Sequence, residues 1–125
     1  MARKKAGGAL RPWLSAKPDG QEGRFTQIGN TLLLDKRFQQ LSPGARWLYI
    51  CLANESGGQR EVKFSHGTAR KYGVPPTTFD RYTKELKNAG FIALTGGLDY
   101  GRFSPNVFRF TLDWKTKPAP HFGER

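Results

Sequence analysis

A single cysteine, Cys51, and two histidines, His66 and His121, leave this 125-residue chain little metal-ligating or redox chemistry. One cysteine excludes an internal disulfide framework and any multi-cysteine zinc site. Acidic residues are scarce: ten Asp and Glu stand against 21 Lys and Arg, for a formal net charge of +11. No apolar run approaches the ~20 residues needed to cross a bilayer. The opening Met1-Ala-Arg-Lys-Lys-Ala-Gly-Gly is basic with no apolar stretch behind it, which does not read as a secretory signal. No carboxylate pair sits at a catalytic spacing, and no glycine-rich phosphate loop follows a strand. Cys51 lies inside an apolar helical stretch, where a thiol is a small inert hydrophobe. The expectation is therefore a soluble, cytoplasmic protein without enzyme activity, metal or cofactor, whose partner is a polyanion.

The positive charge is unevenly spread. Residues 1–24 carry six basic and two acidic side chains, and residues 63–90 again six and two. The block between them is close to neutral. Lys and Arg on phosphate release condensed counterions, which drives non-specific nucleic-acid affinity. Residues 1–24 contain Gly7, Gly8, Pro12, Pro18, Gly20 and Gly23 around an isolated Trp13-Leu14 pair, and show neither helical nor strand periodicity. They are expected to form a flexible basic arm, with residues 115–125 a flexible tail. One domain is expected between them, over residues 25–114.

Within that domain, Phe25–Ile28 alternates and predicts a short strand, and Thr31–Gln40 predicts one or two helical turns burying Leu32, Leu33, Leu34 and Phe38. Ser42 as N-cap and Pro43 at the first helical position open an apolar helix that Gly57-Gly58 ends. Residues 61–64 predict a brief strand, and Ser65 caps a helix that Gly73 stops. Pro76 opens a further helix to Ala89, whose Phe79, Tyr82 and Leu86 share one face. Phe91–Thr95 predicts a strand, Gly96–Asn106 a turn-rich tip, and Val107–Trp114 a strand with Phe108, Phe110, Leu112 and Trp114 facing inward.

The order helix, glycine turn, helix, glycine, hairpin carries a resemblance. Thr68-Ala-Arg-Lys-Tyr-Gly-Val-Pro, Thr78-Phe-Asp-Arg-Tyr and Glu85-Leu-Lys-Asn-Ala-Gly-Phe-Ile resemble the helix-turn-helix of winged-helix DNA-binding domains. Phe25-Thr-Gln-Ile followed by Leu41-Ser-Pro-Gly-Ala-Arg-Trp-Leu-Tyr is similar to the opening of such domains in replication initiators and regulators of plasmids and mobile elements. The resemblance implies an α+β fold with a three-helix core and a C-terminal β-hairpin wing. It also implies sequence-specific binding of double-stranded DNA, in transcriptional regulation or as a replication or transfer accessory factor.

Under that reading helix 76–88 enters the major groove. Its N-terminal residues Pro76, Thr77, Thr78 and Arg81 reach toward base edges, Arg81 being able to donate twice to a guanine, while Lys84 and Lys87 take phosphates. Asp80 is awkward there, because a carboxylate repels phosphate unless a cation or a cytosine amino group answers it. The preceding helix offers Ser65, His66, Arg70 and Lys71 to the backbone. Tyr100 and Arg102 on the wing, and Arg3, Lys4 and Lys5 on the arm, complete the contact set. Two readings compete. Aromatics at 13% could stack single-stranded DNA or RNA, with Trp13, Tyr100, Phe103 and Phe122 the ones outside the core pattern. Alternatively the domain is a protein-interaction winged helix. A homodimer or partner protein is compatible with either, and a dimer on DNA would require half-sites ~34–36 Å apart or a multiple of that.

Overall fold

The computed structural model describes residues 8–95 and 107–116, an α+β arrangement of helices and two small antiparallel sheets. In chain order its elements are β1 (Gly8–Ala9), a 3-10 turn (Pro12–Leu14), β2 (Gln21–Glu22), α1 (Asn30–Leu34), α2 (Lys36–Gln39) and α3 (Pro43–Ser56). These are followed by β3 (Glu61–Lys63), α4 (His66–Lys71), α5 (Pro76–Asn88), β4 (Ile92–Leu94), β5 (Val107–Phe110) and α6 (Asp113–Thr116).

Local capping sets the three main helices. The Ser42 hydroxyl accepts the Ala45 N–H at 3.2 Å, Pro43 occupies the first turn, and Gly57 ends α3 in the left-handed region. Ser65 caps α4 by accepting the Thr68 N–H, also at 3.2 Å. Gly73 and Val74 then donate back to the carbonyls of Arg70 and Ala69, both at 2.9 Å, so the chain turns tightly into Pro75-Pro76 and α5.

The larger sheet has the order β3-β5-β4, with Val62 paired to Phe108 and Ile92 to Phe110. Val62, Phe108 and Ile92 are buried, while Glu61, Lys63 and Arg109 face out, Arg109 pairing with Glu61 at 3.5 Å. The core lies between this sheet and α3 to α5. Phe64, Phe79, Phe91 and Phe108 are its largest wholly buried side chains, joined by Leu48, Leu52 and Leu86. Cys51 is buried among them, and loss of hydration pushes its thiol up to about 12, which leaves it protonated and unreactive at neutral pH.

Three sequence expectations are corrected. Phe25–Ile28 is not a strand; the Thr26 hydroxyl donates instead to the Asn54 side chain of α3, holding the segment against that helix. Residues 30–39 form the short helical turns expected, α1 and α2, but not all of the leucines are buried: the chain breaks at Asp35, whose backbone is extended and whose carboxylate accepts the Arg37 N–H at 2.8 Å. The break rotates the leucines apart: Phe38 is buried, Leu32 half-buried, and Leu33 and Leu34 exposed. Arg37 pairs with Asp35 at 2.7 Å, and its hydrogen bonds hold the Asp35 carboxyl down at about 2.

The third correction is at the C-terminal strand, which stops at Phe110. Thr111 donates its N–H to the Phe91 carbonyl at 3.0 Å and its hydroxyl to that of Gly90, turning the chain into α6. Leu112 therefore faces solvent, and Trp114 reaches the core from a helix rather than by strand alternation. Gly90 is required for this approach, with φ at +86° and a would-be Cβ 3.1 Å from both the Asp113 Cβ and the Trp114 nitrogen. α6 runs to Thr116, two residues past the expected domain end at residue 114.

Within the segment expected as an arm, residues 8–22 carry secondary structure. β1 and β2 pair as a hairpin, Leu10 donates to the Gly20 carbonyl at 2.8 Å, and Gly20 adopts φ +69° where a Cβ would strike the Leu10 carbonyl. Trp13 and Leu14 are exposed on its 3-10 turn and take no part in the core.

Candidate nucleic-acid interface

Two contacts fix how α5 is rolled on α3. The Glu85 carboxylate accepts the Ser42 N–H at 2.6 Å and the Ser42 hydroxyl at 2.8 Å, closing the N-terminus of α3 from the neighbouring helix. One turn earlier, the hydroxyl end of the Tyr82 ring lies against Gly44, so closely that a Cβ on Gly44 would come within 2.0 Å of the Tyr82 Cζ. Phe79 and Leu86 are fully buried beneath. With those four residues turned inward, Pro76, Thr77, Asp80, Arg81, Lys84 and Lys87 are all exposed.

The Gly44 contact gives a prediction. Ala in place of Gly inside a helix ordinarily stabilises by roughly 0.5–1 kcal/mol. Here Gly44→Ala should instead cost about 1–3 kcal/mol, because the ring must leave its site. In a Tyr82→Ala background the same change should be neutral or stabilising. A double-mutant cycle by urea unfolding measures this, and equal effects in both backgrounds would refute the packing account.

The exposed face of α5 is cationic with one acidic position. Asp80, Arg81, Thr83, Lys84 and Lys87 line a shallow open depression of about 510 Å³. The Arg81 guanidinium lies 5.2 Å from the centre of the Tyr82 ring, which supports it along the helix surface. Thr78 is half-buried and donates its hydroxyl to the Pro75 carbonyl at 3.0 Å, so it bends back onto the helix start while Thr77 remains outward.

From α4, His66 is hydrogen-bonded through Nε2 to Asp80 Oδ1 at 3.0 Å, and its ring meets Phe79 edge-on at 5.0 Å. The carboxylate that looked awkward in the sequence is thus held by the preceding helix. No periodicity could have revealed this pair, because its members lie on different elements. Ser65 is occupied in capping α4. Arg70 is exposed, whereas Lys71 is drawn toward α3 by Glu55 at 3.4 Å. Glu55 is held below the usual carboxylate range, first by the Tyr72 hydroxyl, which donates to it at 2.7 Å, and then by Lys71. The structure therefore brings His66 to the α5 face and turns Lys71 from it. Arg3, Lys4, Lys5, Tyr100 and Arg102 lie outside the described residues, as do Phe103, His121 and Phe122.

Among the described residues no three His, Cys, Asp or Glu side chains gather where a metal could sit, and no helix is long and apolar enough to cross a membrane. Comparison of the chain with protein-family models, with curated proteins and with solved structures finds no match.

Proposed function

We propose that this chain is a sequence-specific duplex-DNA-binding protein of the winged helix-turn-helix class, with α5 as the helix that enters the major groove. The observation that carries this reading is the clamping of α5, which turns Thr77, Arg81, Lys84 and Lys87 out along one exposed face. The tight α4–α5 turn and a three-stranded sheet in which β4 and β5 pair antiparallel support the class. The charge of +11 supports the partner. Regulation, replication or transfer of a mobile element is the setting that the sequence resemblance suggests.

In this mechanism Arg81, steadied by the Tyr82 ring, donates two N–H groups to a guanine edge. Lys84 and Lys87 neutralise phosphates, and Arg70 does so from α4. Asp80, with one oxygen held by His66, offers its carboxylate to a cytosine amino group, the pairing that suits an acidic side chain in the major groove.

Selection of bound sequences from a random duplex pool, followed by affinities of variants, tests the reading. Arg81→Ala should cost about 1–3 kcal/mol on the selected site and much less on random DNA. Lys84→Ala or Lys87→Ala should weaken all sequences alike and flatten the log-affinity against log-salt slope by about 1. Asp80→Asn should move preference at one position from cytosine toward adenine, to which an amide can bond twice. Failure to select any sequence, with Arg81→Ala and Lys84→Ala both silent, would remove α5 from the interface and favour the protein-interaction reading.

A further inference from the structure

The hairpin of residues 8–22 holds Trp13, the most exposed large apolar side chain of the described residues, with Leu14 beside it, and nothing in the α5 reading uses them. Trp13 is 77% and Leu14 61% exposed. Such exposure on a floppy segment would mean little, but this segment is held. Pro12 fixes the start of the 3-10 turn, and Leu14 donates back to the Arg11 carbonyl at 2.9 Å. The strand pairs Gly8–Glu22 and Ala9–Gln21 and the Leu10–Gly20 bond close the base. The Gly20 N–H donates to the Lys17 carbonyl at 3.0 Å, and the Lys17 N–H to the Ser15 hydroxyl, also at 3.0 Å. A rigid turn lowers the entropy lost when its side chains engage a partner.

Charge decides which partner fits. Arg11 and Lys17, both exposed, stand two residues before and four after Trp13 in the chain, and neither is in an ion pair with a carboxylate among the described residues. The hairpin's two acids are engaged locally: Glu22 accepts the Ser15 hydroxyl, and Asp19 accepts the Gln21 N–H at 3.0 Å. An exposed aromatic with two exposed cations, neither in an ion pair, on the same short turn suits a base and its adjoining phosphates. It does not match an acidic peptide, which would leave the indole unused.

We propose that the hairpin is a second nucleic-acid contact, in which Trp13 stacks on an unpaired base and Arg11 and Lys17 take the flanking phosphates. The site is independent of α5. It gives the protein a hold on single-stranded DNA, such as a melted segment beside a duplex site.

The test uses the full chain carrying Trp47→Phe, so that Trp13 is the one strongly exposed indole, Trp114 being buried. The probe is single-stranded oligothymidylate of about twelve nucleotides, within the range of known single-strand site sizes. Trp13 emission should be quenched saturably as the probe is added. Trp13→Ala should weaken binding of that probe about ten-fold or more, Trp13→Phe should retain most of it, and Trp13→Leu should resemble Trp13→Ala, because stacking needs a ring. Arg11→Ala should reduce the salt slope on the same probe. Affinity for a fully paired duplex should be unchanged by Trp13→Ala, whereas Arg81→Ala acts on the duplex alone, so the two contacts fail separately. Absence of saturable quenching, an unchanged single-strand affinity in Trp13→Ala, or a Trp13→Leu variant that binds like Trp13→Phe would each overturn the proposal. Because Trp13 is solvent-exposed, these variants should melt like the parent, which checks that any loss is local.

Discussion

Replacing Phe79 with alanine should remove about 3–5 kcal/mol of folding stability, the range for truncating a buried aromatic. Against a total of roughly 5–15 kcal/mol for a small domain, that is a large share. The ring is wholly buried and lies 5.7 Å from Phe64 and 6.4 Å from Phe108, linking α5 to the start of α4 and to the central strand. It also supports the His66 ring edge-on, so its loss should loosen the His66–Asp80 bond as well as the core. Phe79→Leu should recover more than half of the loss. The measurement is the urea midpoint at constant m-value. A deficit below about 1 kcal/mol would mean that the site collapses around the missing ring and that Phe79 does not anchor the helix.

Trp114→Ala should be comparably damaging, again about 3–5 kcal/mol. The indole stacks on Phe91 at 4.8 Å with the planes 14° apart, and the Arg37 guanidinium lies 5.3 Å from its centre. Arg37 also donates to the carbonyls of Trp114 and Lys115, at 3.3 and 3.2 Å, which closes α6. The substitution therefore opens a cavity above Phe91 and removes the surface that holds Arg37 in place. Trp114→Phe, which keeps a ring to stack, should retain a substantial part of the stability. A thermal transition unchanged in Trp114→Ala would show that the core closes without α6, at Phe110.

The sequence is legible where structure is decided within one turn of chain. Ser42, Pro43 and Gly57 bound α3, Ser65 and Gly73 bound α4, and Pro76 and Gly90 bound α5, because the serine caps act on backbone groups three residues away, proline suits a first helical turn and glycine a left-handed stop. The outward row of α5 follows from the inward placement of Phe79 and Leu86 by helical period alone. What local pattern cannot carry is pairing between distant residues. Thr111 leaves the strand because it bonds to Gly90 and Phe91. Lys71 leaves the α5 face because Glu55 of α3 attracts it, and Asp80 is held because His66 is near in space. The three consecutive leucines 32–34 misled for a related reason: composition suggests burial, but the extended backbone at Asp35 decides which of them turns inward.

The strand order β3-β5-β4 has a kinetic consequence. β3 and β4 do not touch each other, and each becomes part of a sheet only through β5, the last strand of the three to be synthesised. Both helices of the candidate interface leave the ribosome before the strand that supplies Phe108 to their floor. Non-local pairings of this kind are slow to form, because a long loop must close before any contact compensates for it. During synthesis α4 and α5 therefore wait with Phe79 able to meet Phe64 and His66 but lacking Phe108, and so more open to chaperones and to aggregation, until Val107–Phe110 arrives. An isolated peptide spanning only the two helices would remain in that unfinished state, and grafting α5 onto another scaffold would have to replace β5 as well.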